Sequence, residues 1–125
     1  MENVPTAPPP ARAPTPVDAW RRYDADEARL SAHVSERMLD LAGLRAGARV
    51  LDIASGRGEP AVRAARRVAP DGVVVGTDRS DEMLAFARAR AVAESVANLS
   101  LRVADGETLA GIPDGAFDAA LCRWG

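Results

Sequence analysis

Val50-Leu51-Asp52-Ile53-Ala54-Ser55-Gly56-Arg57-Gly58-Glu59-Pro60-Ala61 is the stretch from which the rest of this 125-residue chain can be placed. An apolar run ends near a carboxylate, a turn with two glycines follows, and a proline then stands at the first-turn position of a helix, where its missing N–H costs nothing. Working outward, Ala48 to Ile53 reads as a buried strand and Glu59 to Ala69 as a helix. Pro70-Asp71-Gly72 turns the chain into Val73–Thr77, its most β-prone run. Ser80 is placed to cap a helix over Asp81–Ala93, with Leu84, Ala87 and Ala91 on its apolar face. Leu99–Val103 and Phe117–Cys122 read as a third and a fourth strand, the latter after the loop Gly111–Gly115. Strands alternating with helices imply parallel βαβ units and right-handed crossovers, an α/β, Rossmann-like, doubly wound parallel sheet.

The glycine turn says what kind of ligand such a sheet holds. Gly56 and Gly58 let the backbone approach a ligand closely, and the following helix aims free N–H groups and its positive dipole end at the turn. Gly56-x-Gly58-x-x-Ala61 also satisfies the loose dinucleotide fingerprint, but Asp52, four residues before Gly56, repels a pyrophosphate. That carboxylate suits a ligand with a cationic head beside its own anionic group, such as the methionyl end of S-adenosylmethionine (SAM). Asp78, twenty residues beyond Gly58 at the end of the second strand, is placed to accept both ribose hydroxyls of a nucleoside.

Composition excludes several other chemistries. The 16 basic side chains, all arginine, face 18 acidic ones for a net charge of -2, no footprint for a phosphate backbone, so no nucleic-acid partner is expected. Without lysine there is neither a P-loop amine nor a Schiff base. One histidine (His33) and one cysteine (Cys122) exclude an internal disulfide and a His/Cys metal cluster, and no metal is expected. His33 reads as a helix-surface or packing residue, and Cys122 as a buried structural thiol. No run is long and apolar enough to span a bilayer and no signal peptide is legible, so a cytoplasmic protein without a membrane partner is expected.

Val50-Leu51-Asp52-Ile53-Ala54-Ser55-Gly56-Arg57-Gly58 resembles the first motif of the class I SAM-dependent methyltransferases, and Ala-Ser-Gly-x-Gly-Glu-Pro-Ala is similar to a subgroup related to the ubiquinone/menaquinone biosynthesis C-methyltransferases. Gly76–Leu84, Ala104-Asp105-Gly106-Glu107 and Pro113–Gly125 resemble three further motifs in order, so the likeness runs from about residue 17 to the last residue. It implies SAM as cofactor, with Asp52, Ala54, Ser55, Gly56 and Gly58 at the methionyl moiety. Asp78, beside Arg79, then holds the ribose, Met83 packs on the adenine, and Asp105 with the backbone of Gly106 faces the adenine amino group. Arg123, where the fourth strand opens into the site, is carried as a further candidate. The motif departs from the family at Arg57, where threonine is usual; a cation there lowers affinity for a sulfonium unless it points to solvent.

Residues 1–16 hold six of the nine prolines and read as a disordered tail, leaving 17–125 as the N-terminal SAM-binding part of a methyltransferase domain. A helix from about Val17 to Ala42 carries the apolar stripe Leu30, Val34, Met38 and Leu41, with Gly43 as its C-cap. Trp20 and Tyr23 lie upstream, on a separate short helix, where they pack against the body of the domain or form a lid over a ligand. The resemblance implies four strands in the order 3-2-1-4 out of a larger family sheet, so the chain reads as truncated after its fourth strand. The function implied is methyl transfer to a small-molecule acceptor, a quinone-like or other secondary metabolite. An NAD(P)-binding oxidoreductase domain and a non-catalytic SAM-binding remnant are the alternatives. No catalytic base can be named, and carbon, oxygen and nitrogen acceptors all remain open, as does the oligomeric state.

Overall fold

The computed structural model describes residues 9–125. The first half of the proline-rich segment, including Pro5 and Pro8, therefore lies outside the described residues; residues 9–15 form neither helix nor strand. Helix α1 spans Pro16–Leu41 as one piece that includes Trp20 and Tyr23, so there is no separate short helix. Thr15 caps it, its hydroxyl accepting from the Asp18 N–H while the Asp18 carboxylate accepts from the Thr15 N–H. This reciprocal box is worth about 1 kcal/mol.

Beyond α1 come β1 (Arg49–Ile53), α2 (Ala61–Val68), β2 (Val73–Asp78), α3 (Asp81–Ala93), β3 (Leu99–Val103) and β4 (Ala119–Cys122). The four strands form one parallel sheet in the order β3-β2-β1-β4, the order that the resemblance implies. Val50, Leu51 and Asp52 are all buried in β1, the signature of a central parallel strand covered on both faces. Leu39, Leu44, Val50, Val68, Val74 and Leu121 form the main core with Ala61, Ala64 and Ala65. At about 1.5–3 kcal/mol for each large aliphatic side chain buried, this cluster holds the C-terminal half of α1 and α2 to the sheet.

Element ends differ from the sequence reading for local reasons. Pro60 serves as the N-cap of α2 rather than its first helical residue, and Gly58 O accepts the Val62 N–H. β4 starts two residues late because Asp118 instead clamps the start of β1: its carboxylate accepts the Arg49 N–H, and its own N–H donates to Arg49 O.

The expected apolar stripe of α1 is only partly its inward face: Met38 packs against the core and Val34 is half-buried. Leu30 and Leu41 are exposed, whereas Ser31, Ser35 and Leu39 are buried. Polar bonding decides the rotation: Ser35 and Glu27 accept from the buried Arg123, and Ser31 donates to Glu27, so this small-residue face must lie against the body of the protein. Cys122 is likewise exposed rather than buried, because β4 pairs on one side only, with β1.

Candidate functional site

The carboxyl ends of β1 and β2 bring the glycine turn and two acids together. Asp52 is completely buried; one carboxylate oxygen accepts from the Ser55 hydroxyl at 2.5 Å, and the other has no hydrogen-bond partner. Burial pushes its carboxyl up to about 7, against the Ser55 hydrogen bond and the field of Arg123, which pull it down. Asp78, one strand over, is held differently. One oxygen accepts the Gly56 N–H and the other the Ser80 N–H, each at 2.9 Å. The N–H of Ser55 is bonded to Thr77 O, so two successive N–H groups at the start of the turn lace it to β2.

The two glycines of the turn have separate duties. Gly56, at φ +53°, leaves open space; a Cβ there would come no nearer than 3.7 Å to the Met83 methyl and 4.0 Å to Asp78. Gly58, at φ +88°, faces α3 instead: a Cβ would sit 3.1 Å from that of Ala87. The sequence reading missed Gly76, where a Cβ would fall 2.6 Å from the Ser55 hydroxyl, so its bareness is what seats Ser55 over Asp52.

A cavity of about 350 Å³ opens at this end of the sheet, lined by Ala54, Asp78, Arg79, Ala104, Gly106, Trp124 and Gly125. Four of the candidates thus share one wall, with Gly56 and Met83 beside Asp78. Asp105 is exposed at the rim, its carboxylate accepting the Glu107 N–H. Asp52 and Ser55 lie beneath the turn rather than in the lining, and Arg123 is buried against α1. Trp124, at φ +61° and largely exposed, lines the cavity where the fourth strand opens into the site, as its place beside Arg123 in the sequence suggests.

Comparison with known proteins fits this geometry. Residues 50–125 match a methyltransferase domain model. The chain is 38% identical over 96 residues to nocamycin O-methyltransferase of Saccharothrix syringae, covering 77% of this chain and 34% of that protein. It is 42% identical over 88 residues to the ubiquinone/menaquinone biosynthesis C-methyltransferase UbiE of Pseudomonas putida, covering 70% and 34%. The chain belongs to the class I SAM-dependent methyltransferases. A solved SAM-dependent methyltransferase from Aquifex aeolicus shares the fold at a TM-score of 0.73 and 24% identity, over 87% of this chain and 57% of that one. This methyltransferase chain spans about a third of the length of the curated relatives it matches. The dinucleotide alternative finds no support among them. Among the described residues no helix is long and apolar enough to cross a membrane, and no cluster of His, Cys, Asp and Glu is arranged to hold a metal ion.

Arg57 is where the methyltransferase motif reading needs correction. It points neither to solvent nor into the cavity. It is buried beneath α1, bonded to Asp24 and to Glu27 (2.7 Å), with its guanidinium 4.9 Å over the Trp20 ring. Asp24 and Glu27 were not singled out from the sequence; the available signal was two acids one helical turn apart beside an aromatic residue.

Proposed function

We propose that residues 17–125 form the cofactor-binding part of an enzyme that transfers a methyl group from SAM to a small, flat, largely apolar acceptor in the cytoplasm. The observation that carries this reading is the pairing of a lining carboxylate, Asp78, with a buried, half-satisfied one, Asp52, on neighbouring strands and bonded to adjacent residues of one glycine turn. Each Asp78 oxygen has already accepted one N–H and keeps a lone pair for a ribose hydroxyl. The unpartnered oxygen of Asp52 lies beneath the turn, so its negative charge favours a ligand's ammonium through its field across the turn rather than by direct contact. Ala54 and Gly56 bring bare backbone to the methionyl moiety. Met83 packs on the adenine, Gly106 and Asp105 face its edge, and Arg79 closes the ribose side. Arg123 acts from behind as a positioning group through its field on Asp52. SAM supplies an electrophilic methyl group; the protein's part is to orient it and to exclude water.

The acceptor class follows from a second hollow of about 510 Å³, lined by Trp20, Tyr23, Leu30, Val34 and Trp124 above Glu27 and Ser31. It shares Trp124 with the cofactor cavity, so an aromatic acceptor stacked there lies next to the methyl donor. The balanced charge of the chain offers nothing comparable to a nucleic acid.

Calorimetric titration of the chain with SAM and, separately, NADH tests the cofactor. The expected result is a SAM dissociation constant on the order of micromolar and no signal with NADH; heat with NADH alone overturns the reading. Transfer of radiolabelled methyl to a panel of quinols, phenols and amines then tests the acceptor, and labelling of charged amines in place of aromatic hydroxyls or ring carbons would reject an apolar acceptor.

A further inference from the structure

Three arginines from separate parts of the fold converge on two carboxylates of α1. Arg57 comes from the glycine turn, Arg90 from α3 and Arg123 from just beyond β4. Asp24 accepts from Arg57 and from Arg90 (2.7 Å), while Glu27 accepts from Arg57 (2.7 Å), Arg123 (3.0 Å) and Ser31 (2.7 Å). Arg57 and Arg123 are each less than a tenth exposed, so their charges are compensated by these bonds and not by water. Glu27 is held below the usual carboxylate range by Ser31, Arg123 and Arg57, which outweigh the opposing effect of burial.

We infer that Asp24 and Glu27 make α1 a selectivity element: by drawing the Arg57 guanidinium out of the cofactor cleft, they let the glycine turn accept a cationic sulfonium. This inference rests on the proposed cofactor site. Arg57 sits between the two glycines of that turn, yet its side chain is absent from the cavity lining because α1 holds it. Loss of one carboxylate leaves an under-compensated cation one residue from Gly56. Such a charge repels SAM, which carries a sulfonium, and does not repel S-adenosylhomocysteine, whose thioether is neutral. The two ligands are otherwise alike, so their affinity ratio reads the charge at Arg57 separately from any general loosening of the site.

The test is calorimetry of both ligands on the full chain. Asp24→Asn keeps the shape of the side chain, and Arg90 keeps Glu94 at 3.9 Å. The expected result is a roughly five- to tenfold loss of SAM affinity, the order expected of one under-compensated charge acting through partly solvated surroundings, with S-adenosylhomocysteine changed less than about twofold. Adding Arg57→Thr to Asp24→Asn should bring SAM affinity back to within about twofold of the parent. Equal losses for both ligands without rescue by Arg57→Thr would make the cluster a scaffold only and overturn the inference. Should Asp24→Asn fail to fold, Glu27→Gln is compared with and without Arg57→Thr, because it also frees Arg123: a loss confined to SAM that Arg57→Thr reverses supports the inference, and one that it does not reverse overturns it. A parent chain that binds neither ligand overturns the cofactor reading itself, and this inference falls with it.

Discussion

Asp52 and Asp78 end neighbouring strands of one sheet, and they are in opposite physical states. Asp78 has a backbone N–H on each oxygen and faces an open cavity; Asp52 has one hydroxyl, one empty lone-pair side and no solvent. Position explains the difference. β1 is central and buried on both faces, so a polar side chain there must be satisfied from inside the protein. Asp78 lies one residue beyond the last β1–β2 pair, where the chain turning toward α3 offers the Ser80 N–H and the glycine turn after β1 offers that of Gly56. A carboxylate's role is thus set by how many donors the fold lends it: two make a rigid acceptor, and one leaves a negative charge that a nearby cation can offset.

Removing the rigid acceptor should have the largest effect. Asp78→Ala is expected to lower SAM affinity at least about a hundredfold, roughly 3 kcal/mol for two charge-assisted bonds, measured by calorimetry. A loss below fivefold would mean that Asp78 does not hold the ligand. Next comes the seat of Ser55. A Cβ at Gly76 overlaps the Ser55 hydroxyl at 2.6 Å and the Leu101 side chain at 2.8 Å, so Gly76→Ala should cost about 2 kcal/mol in denaturant unfolding.

The half-satisfied acid should show itself through pH. With its carboxyl pushed up to about 7, Asp52 is ionised at pH 8 and protonated at pH 6. If the ionised form favours a cationic head across the turn, SAM affinity falls roughly tenfold from pH 8 to pH 6, and Asp52→Asn abolishes that slope. Stability runs the other way. The folded state binds a proton that the unfolded state has released between about pH 4 and 7, so ligand-free stability declines as pH rises through that window. Asp52→Asn should therefore raise the melting temperature most at pH 8 and less at pH 5, with the gain vanishing only below about pH 4, where the parent's acid is neutral in the folded and the unfolded chain alike. A parent and variant with parallel pH curves would show that Asp52 behaves like an ordinary exposed acid.

The pattern of the sequence determined much of this molecule. Apolar runs spaced by helical segments led to four parallel strands, because a strand buried on both faces has little freedom to be anything else, while their order 3-2-1-4 came from the resemblance of the motifs. The glycine turn and its flanking acids were legible for the same local reason, since a tight backbone approach needs glycine wherever it occurs. Tertiary structure alone decided which face of α1 turns inward. Hydrophobic periodicity pointed to Leu30 and Leu41, yet the helix buries Ser31 and Ser35, because buried guanidiniums need oxygen acceptors more than exposed leucines need cover. It also sent Gly58 to α3 and Arg57 to α1. Partners such as these lie tens of residues apart along the chain, and only the folded packing brings them within bonding distance.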